Sequence, residues 1–174
     1  MRQHLLLIGL RASGKTTLGA ALASALGAEF VDLDDGTARE LGFASAGDAF
    51  RAAGEAAFRE AESRAFRIAV DAAPRVIALG GGTPTAPGVA AMIDALRQSG
   101  RAVVVFLDPP LSTLESRLRA NVGNRPSLTA AGVVDEVEDV ARRRRPLYAA
   151  LADFAFAETV DAEAVLGAVA GAVG

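Results

Sequence analysis

Leu5-Leu6-Leu7-Ile8-Gly9-Leu10-Arg11-Ala12-Ser13-Gly14-Lys15-Thr16 lies near the start of the chain, and its reading decides the fold. The apolar run Leu5 to Ile8 ends in glycine, as a strand buried on both faces would. Gly9 to Thr16 then matches G-x-x-x-x-G-K-[ST]: the glycines let the backbone curl until successive N–H groups point at phosphate oxygens, and the following helix adds its positive dipole end. From Lys15 onward, Leu18, Ala21, Leu22, Ala25 and Leu26 recur at helical spacing, and Gly27 predicts the C-terminal cap. Strand, loop and helix thus stand in the order that a phosphate cradle requires. Lys15 is expected to reach the β- and γ-phosphates of a nucleotide, and the Thr16 hydroxyl to ligate magnesium. A structural turn would demand neither residue.

Working outward, Glu29 to Leu33, Val76 to Leu79, Ala102 to Leu107 and a stretch near Phe154 to Phe156 read as further strands. Helical patterns lie between them, with glycine punctuation at Gly42, Gly47 and Gly54 and an Ala/Val-rich terminal helix. The alternation predicts an α/β sandwich with a mostly parallel sheet of about five strands. Residues 121 to 130 lack periodicity and are expected to form an exposed loop, a candidate lid. The 174 residues suit one domain, 1–174, without repeat or linker. The formal charge of −3, without a basic stripe, argues against nucleic acid as a partner and favours a small molecule. The absence of cysteine excludes disulfides and thiolate chemistry. The apolar run at the N-terminus is too short for a signal peptide or a membrane span, so cytoplasmic residence is the expectation.

Candidate chemistry gathers at the carboxyl ends of the strands, where open α/β sheets hold ligands. Asp32 and Asp34, two apart on the second strand, are expected to face one side, Asp32 toward a magnesium-bound water and Asp34 toward the proton of an attacking hydroxyl. Gly80, Gly81 and Gly82 follow the third strand and predict close approach of a ligand or another backbone. Arg59 shares a helical face with Glu62, as a surface ion pair or as a pairing that aims Arg59 at a substrate carboxylate. Of Arg142 to Arg145, residues about 100° apart on a helix, one or two at most can face a common ligand. Arg125 in the candidate lid could supply a cation to the transferring phosphoryl group. His4 is not expected to take part in catalysis, and Phe43, Phe50, Phe58 and Phe66 read as packing.

Taken together, the phosphate loop, Asp32-Leu33-Asp34, Gly54-Glu55 with Phe58-Arg59 and Glu62, Gly80-Gly81-Gly82, Arg125-Pro126 and Arg144-Arg145-Pro146-Leu147-Tyr148 resemble the shikimate kinase family over roughly residues 5 to 157. The resemblance implies a three-layer α/β/α P-loop kinase fold with a five-stranded parallel sheet in the order 2-3-1-4-5, a substrate-binding segment at about 33–62 and a lid at about 121–131. It implies transfer of the γ-phosphoryl group of ATP to the 3-hydroxyl of shikimate, with Mg2+, by a monomer that needs neither nucleic acid nor membrane. By resemblance, Ala12, Ser13, Gly14, Lys15, Thr16, Thr17, Arg119 and Arg125 would contact ATP, and Thr16 and Asp32 would serve the metal. Asp34, Arg59, Gly80, Gly81, Gly82 and Arg144 would hold shikimate, with Lys15, Asp34 and Arg125 catalytic. The chain departs from the family pattern at Asp35-Gly36, which predicts a less regular start to the substrate-binding helix, and at Ser127-Leu128-Thr129 in the lid. A kinase for another hydroxy acid such as gluconate, and a regulatory ligand-binding module without catalysis, are the alternatives.

Overall fold

In β1 (His4–Gly9) every residue is buried, because helices cover both faces of the sheet. Side chains alternate along a strand, so Leu5 and Leu7 enter one apolar layer and Leu6 and Ile8 the other. The first layer is closed by Leu18 and Leu22 of α1 (Lys15–Leu26) and by Val165 and Val169 of α7 (Ala162–Val173). The opposite layer is closed by Phe66 of α3 (Ala46–Asp71), Ile93 of α4 (Val89–Gln98), Leu114 of α5 (Leu111–Ala120) and Tyr148 of α6 (Asp135–Leu151). This computed structural model describes residues 1–120 and 135–173. The candidate lid and Arg125 lie outside the described residues.

One parallel sheet runs in the order β2-β3-β1-β4-β5, with β2 Phe30–Asp32, β3 Val76–Ala78, β4 Ala102–Leu107 and β5 Phe154–Phe156. Leu5, Leu6 and Leu7 pair with Val76, Ile77 and Ala78 on one side and with Val103, Val104 and Val105 on the other. The expected three-layer α/β/α fold and strand order are those observed. Because the chain leaves β1 first toward β2 and β3 and later crosses to β4, a crevice opens at the carboxyl end of β1, the switch point at which such sheets take ligands.

Two expectations change at the second strand. It stops at Asp32, and Asp34 is not a strand residue: it lies in the first turn of α2 (Leu33–Glu40). Asp32, in extended geometry, caps this helix by accepting the Asp34 amide at 3.0 Å, and Asp34 and Asp35 complement the positive end of the helix. The helix also runs through Gly36, so the departure at Asp35-Gly36 leaves its start regular; a buried bond from Thr37 Oγ1 to the Leu33 carbonyl, 2.9 Å, reinforces it. Farther on, Gly42 (φ 77°) follows α2 and Gly54 (φ 78°, ψ 165°) interrupts α3, both in backbone regions that favour glycine, whereas Gly47 sits inside the first turn of α3 without breaking it.

Candidate active site

The phosphate loop links β1 to α1 through two residues with positive φ, Ala12 at 64° and Gly14 at 100°. Gly9 is needed for space: a Cβ there would strike the Leu107 carbonyl of β4. α1 has no acidic residue in its first turn, so no carboxylate of its own competes with an anion for the positive end of its dipole. Lys15 is buried and folded along the loop, where Nζ donates to the carbonyls of Gly9 (3.0 Å) and Leu10 (2.9 Å) and to Ser13 Oγ (3.3 Å). Thr16 Oγ1 donates to Asp32 Oδ2 at 2.7 Å. Asp32 therefore spends one oxygen on the cradle and the other on the cap of α2, which fixes its carboxylate between them.

A cleft of about 610 Å³ opens over the loop, lined by Ala12, Ser13, Gly14, Lys15, Thr16 and Thr17, with Asp32 and Asp34 beside them. Its far wall is Glu158 to Ala162, the connection from β5 to α7, together with Arg117. Arg117 Nη1 donates to the Ala12 carbonyl at 3.1 Å and Nη2 to Thr159 Oγ1 at 3.0 Å, so one guanidinium joins the phosphate loop to that wall. Arg119, the expected nucleotide contact, does not line the cleft; it is exposed and pairs with Glu115 at 3.4 Å. Residues two apart on a helix point about 200° apart, and α5 packs on the core through Leu114 and Leu118, which turns Arg117 rather than Arg119 to the cleft.

A second hollow of about 110 Å³ adjoins the first. Arg59, Glu62, Gly81, Gly82 and Arg144 line it, with Phe50 and Phe58 in edge contact (ring centroids 5.4 Å apart) forming an apolar wall. Arg59 Nη1 pairs with Glu62 Oε2 at 2.6 Å, while Glu62 Oε1 accepts from Thr83 Oγ1 at 2.6 Å. Glu62 is 1% exposed, so the pair is an internal brace rather than a surface bridge. Burial pushes the Glu62 carboxyl up from its ordinary range; Arg59 and the Thr83 hydroxyl pull it back, and Asp34 adds to the rise.

The three glycines make room for the site itself. A Cβ at Gly80 would meet the Asp34 carboxylate, one at Gly81 the Arg11 backbone, and one at Gly82 the Arg59 guanidinium. Of the four successive arginines, Arg144 alone lines the hollow, where Nη1 bonds the Gly81 carbonyl at 2.7 Å. Arg145 pairs with Asp108 at 2.7 Å, and Arg142 pairs with Asp139 on the surface. Arg11, Asp34 and Gly81 line both cavities and form the seam between them. Sequence reading passed over Arg11, Arg117 and Thr159 and took Phe50 and Phe58 as packing alone; for Arg11 the signal was available, since it lies inside the phosphate motif.

The sequence pattern of the family described as shikimate kinase matches residues 11–170. A shikimate kinase from Nitratidesulfovibrio vulgaris is 43% identical over 148 residues, covering 82% of this chain and 79% of that protein. A shikimate kinase 2 from Shigella boydii is 35% identical over 175 aligned positions, covering 99% of this chain and 97% of that one. Among solved structures, shikimate kinase from Acinetobacter baumannii in complex with shikimate superposes with a TM-score of 0.84 at 26% identity, over 99% of this chain and 96% of that one. With the phosphate cradle, the adjoining arginine-lined hollow and these matches together, the chain belongs to the shikimate kinase family.

Proposed function

We propose that this chain is a single-domain enzyme that transfers the γ-phosphoryl group of ATP to the 3-hydroxyl of shikimate, giving shikimate 3-phosphate and ADP. The observation that carries the reading is the seam: a phosphate cradle and an arginine-lined hollow share Arg11, Asp34 and Gly81, so groups held on the two sides meet there. Arg59 and Arg144 suit a planar carboxylate, which guanidinium groups bind through paired N–H donors. Held in this way, the ring presents a hydroxyl to Asp34. The hydroxyl oxygen attacks the γ-phosphorus as its bond to the β–γ bridging oxygen breaks, ADP carries away that bond's electron pair, and Asp34 takes the hydroxyl proton. Lys15 leaves its loop carbonyls for the β- and γ-phosphates and offsets the charge spreading over the transferring group. Arg117, fixed between Ala12 and Thr159, lines the cleft beside the phosphate loop, and Arg125 would bring a further cation to the phosphates.

The donors beside the cradle are the Thr16 hydroxyl and the carboxylates of Asp32 and Asp34, all hard oxygen ligands. Such a set fits Mg2+, which keeps waters and substrate phosphates as its other ligands, and among the described residues no cluster of His, Cys, Asp and Glu forms a full protein cage. Thr16 and Asp32 would hold the ion, whose charge would screen the phosphates. A monomer in the cytoplasm, working on ATP and shikimate alone, completes the reading. No helix among the described residues is long and apolar enough to cross a membrane.

Coupled ADP release tests the substrate assignment. Turnover with shikimate should exceed that with gluconate or quinate at equal concentration by at least roughly 100-fold, the scale at which a site built to pair polar groups rejects a poor fit. Comparable rates for all three acceptors would remove shikimate as the substrate.

A further inference from the structure

The Gly81 carbonyl accepts two hydrogen bonds from α6, one from Arg144 Nη1 at 2.7 Å and one from the Tyr148 hydroxyl at 2.8 Å. Residues four apart share a helical face, so both donors reach the glycine loop from the same side. A carbonyl oxygen has two lone pairs, and here both are occupied. Tyr148 itself is 0% exposed, and its ring stands edge-on to Phe106 of β4, centroids 5.8 Å apart at 87°. Burial pushes its hydroxyl up to about 12, against the pull of Arg144 and Arg59, so it remains a donor throughout the physiological range.

A buried tyrosine needs some acceptor for its hydroxyl. What carries more than that need is the identity of the acceptor: the carbonyl of a seam residue, shared with an arginine of the acceptor hollow. With one lone pair filled by Tyr148, the guanidinium has a single docking point on Gly81, lies against the Tyr148 hydroxyl itself, and can offer the N–H groups left over to the hollow. Without that hydroxyl the second lone pair opens as well, and Arg144 can turn to straddle the oxygen with two nitrogens, withdrawing donors from the substrate.

We propose that Tyr148 is a positioning residue for the acceptor substrate: its hydroxyl occupies the second lone pair of Gly81 and thereby fixes the Arg144 guanidinium in the orientation that receives the shikimate carboxylate. The inference rests on the functional reading above and adds to it a side chain that touches neither substrate.

Steady-state kinetics of Tyr148→Phe test it, because the change deletes the hydroxyl and keeps the ring against Phe106. The KM for shikimate should rise about 5–10-fold, with kcat and the KM for ATP within about twofold of wild type. In an Arg144→Ala background the same change should add less than about twofold, since no guanidinium is left to orient. Phe106→Leu loosens the ring packing but leaves the hydroxyl, and should lower Tm while holding the shikimate KM within about twofold. An unchanged shikimate KM in Tyr148→Phe, an equal rise in the KM for ATP, full additivity with Arg144→Ala, or a matching rise in Phe106→Leu would each overturn the proposal. A wild-type protein without turnover on shikimate removes the functional reading and this inference with it; an active wild type beside an unaltered Tyr148→Phe removes this inference alone.

Discussion

At the scale of single residues, the carboxylate of Asp34 is the group on which the proposed chemistry turns. It stands at the seam with one oxygen directed to the space left by Gly80, and Asp32 holds its backbone in the first turn of α2. Asp34→Asn keeps size and hydrogen-bonding capacity but removes the charge and basicity. Its kcat should fall by roughly 10²–10⁴, the range for loss of a general base, while the shikimate KM changes less because Arg59 and Arg144 are untouched. Single-turnover measurements that separate binding from transfer would check this, and an unchanged kcat with a large rise in KM would make Asp34 a binding group only. How far such residues could be read from sequence depended on how local their geometry is. The placement of Lys15 and Thr16 was legible because it is set by neighbours in the same loop. Asp34 was identified for the wrong reason: a short strand followed directly by a helix places its residues at nearly the same end of the sheet, and sequence alone does not tell where the strand stops. Arg117 and Arg119 differ only by which face of α5 meets the phosphate loop, a matter of packing decided by Leu114 and Leu118. Phe50 and Phe58 look like core from sequence because a cavity wall and a core draw on the same residue types.

At the scale of elements, the glycine loop after β3 shows how the site excludes side chains to admit others. A Cβ on Gly82 would occupy the position of the Arg59 guanidinium, and Arg59 is in turn held by Glu62, which Thr83 holds from the same loop. Gly82→Ala therefore forces Arg59 off its brace. Part of the cost is the buried Glu62 carboxylate left with a weakened partner, a change of about 3–5 kcal/mol when such a pair is fully broken and less when the arginine can relax toward Glu55. The shikimate KM should rise by roughly tenfold or more, since one of the two proposed carboxylate donors is misplaced, whereas nucleotide affinity should hold because Gly82 does not line the phosphate cleft. Parallel titrations with shikimate and with an ATP analogue separate these effects, and equal losses for both ligands would show that the loop supports the whole site. The sequence signalled that something approaches these glycines closely; that the approaching groups are Asp34, Arg11 and Arg59 follows from long-range packing.

At the scale of the whole molecule, all of the proposed chemistry lies at the carboxyl ends of the strands, and the opposite end carries a different burden. His4 begins β1 there, is 2% exposed, and its Nδ1 has no hydrogen-bond partner among the described residues. Desolvation lowers the imidazole below its ordinary value of 6.5; the Val70 carbonyl opposes that, while Arg101 and Arg75 reinforce it as like charges. A group neutral in the fold but free to charge in the unfolded chain contributes stability that is present above the unfolded value, near pH 6.5, and is lost as pH falls through the lower folded value. Acid below about pH 6.5 should thus destabilise the sheet at its amino end, far from the phosphate loop, through the unfolded state's gain of a proton. His4→Leu fills a similar volume without a titrating group. Denaturant midpoints measured from pH 7.5 down to pH 5 should fall more steeply in wild type than in His4→Leu, with the two curves converging or crossing toward the acid end. Parallel curves would mean that other groups set the acid limb and that the His4 imidazole takes up its proton equally in both states over this range. Because β1 also carries the phosphate loop at its other end, the same series followed by nucleotide binding asks whether loosening one end of the central strand is felt at the other: affinity that holds until the midpoint itself is reached would mean that the strand comes apart only with the whole fold.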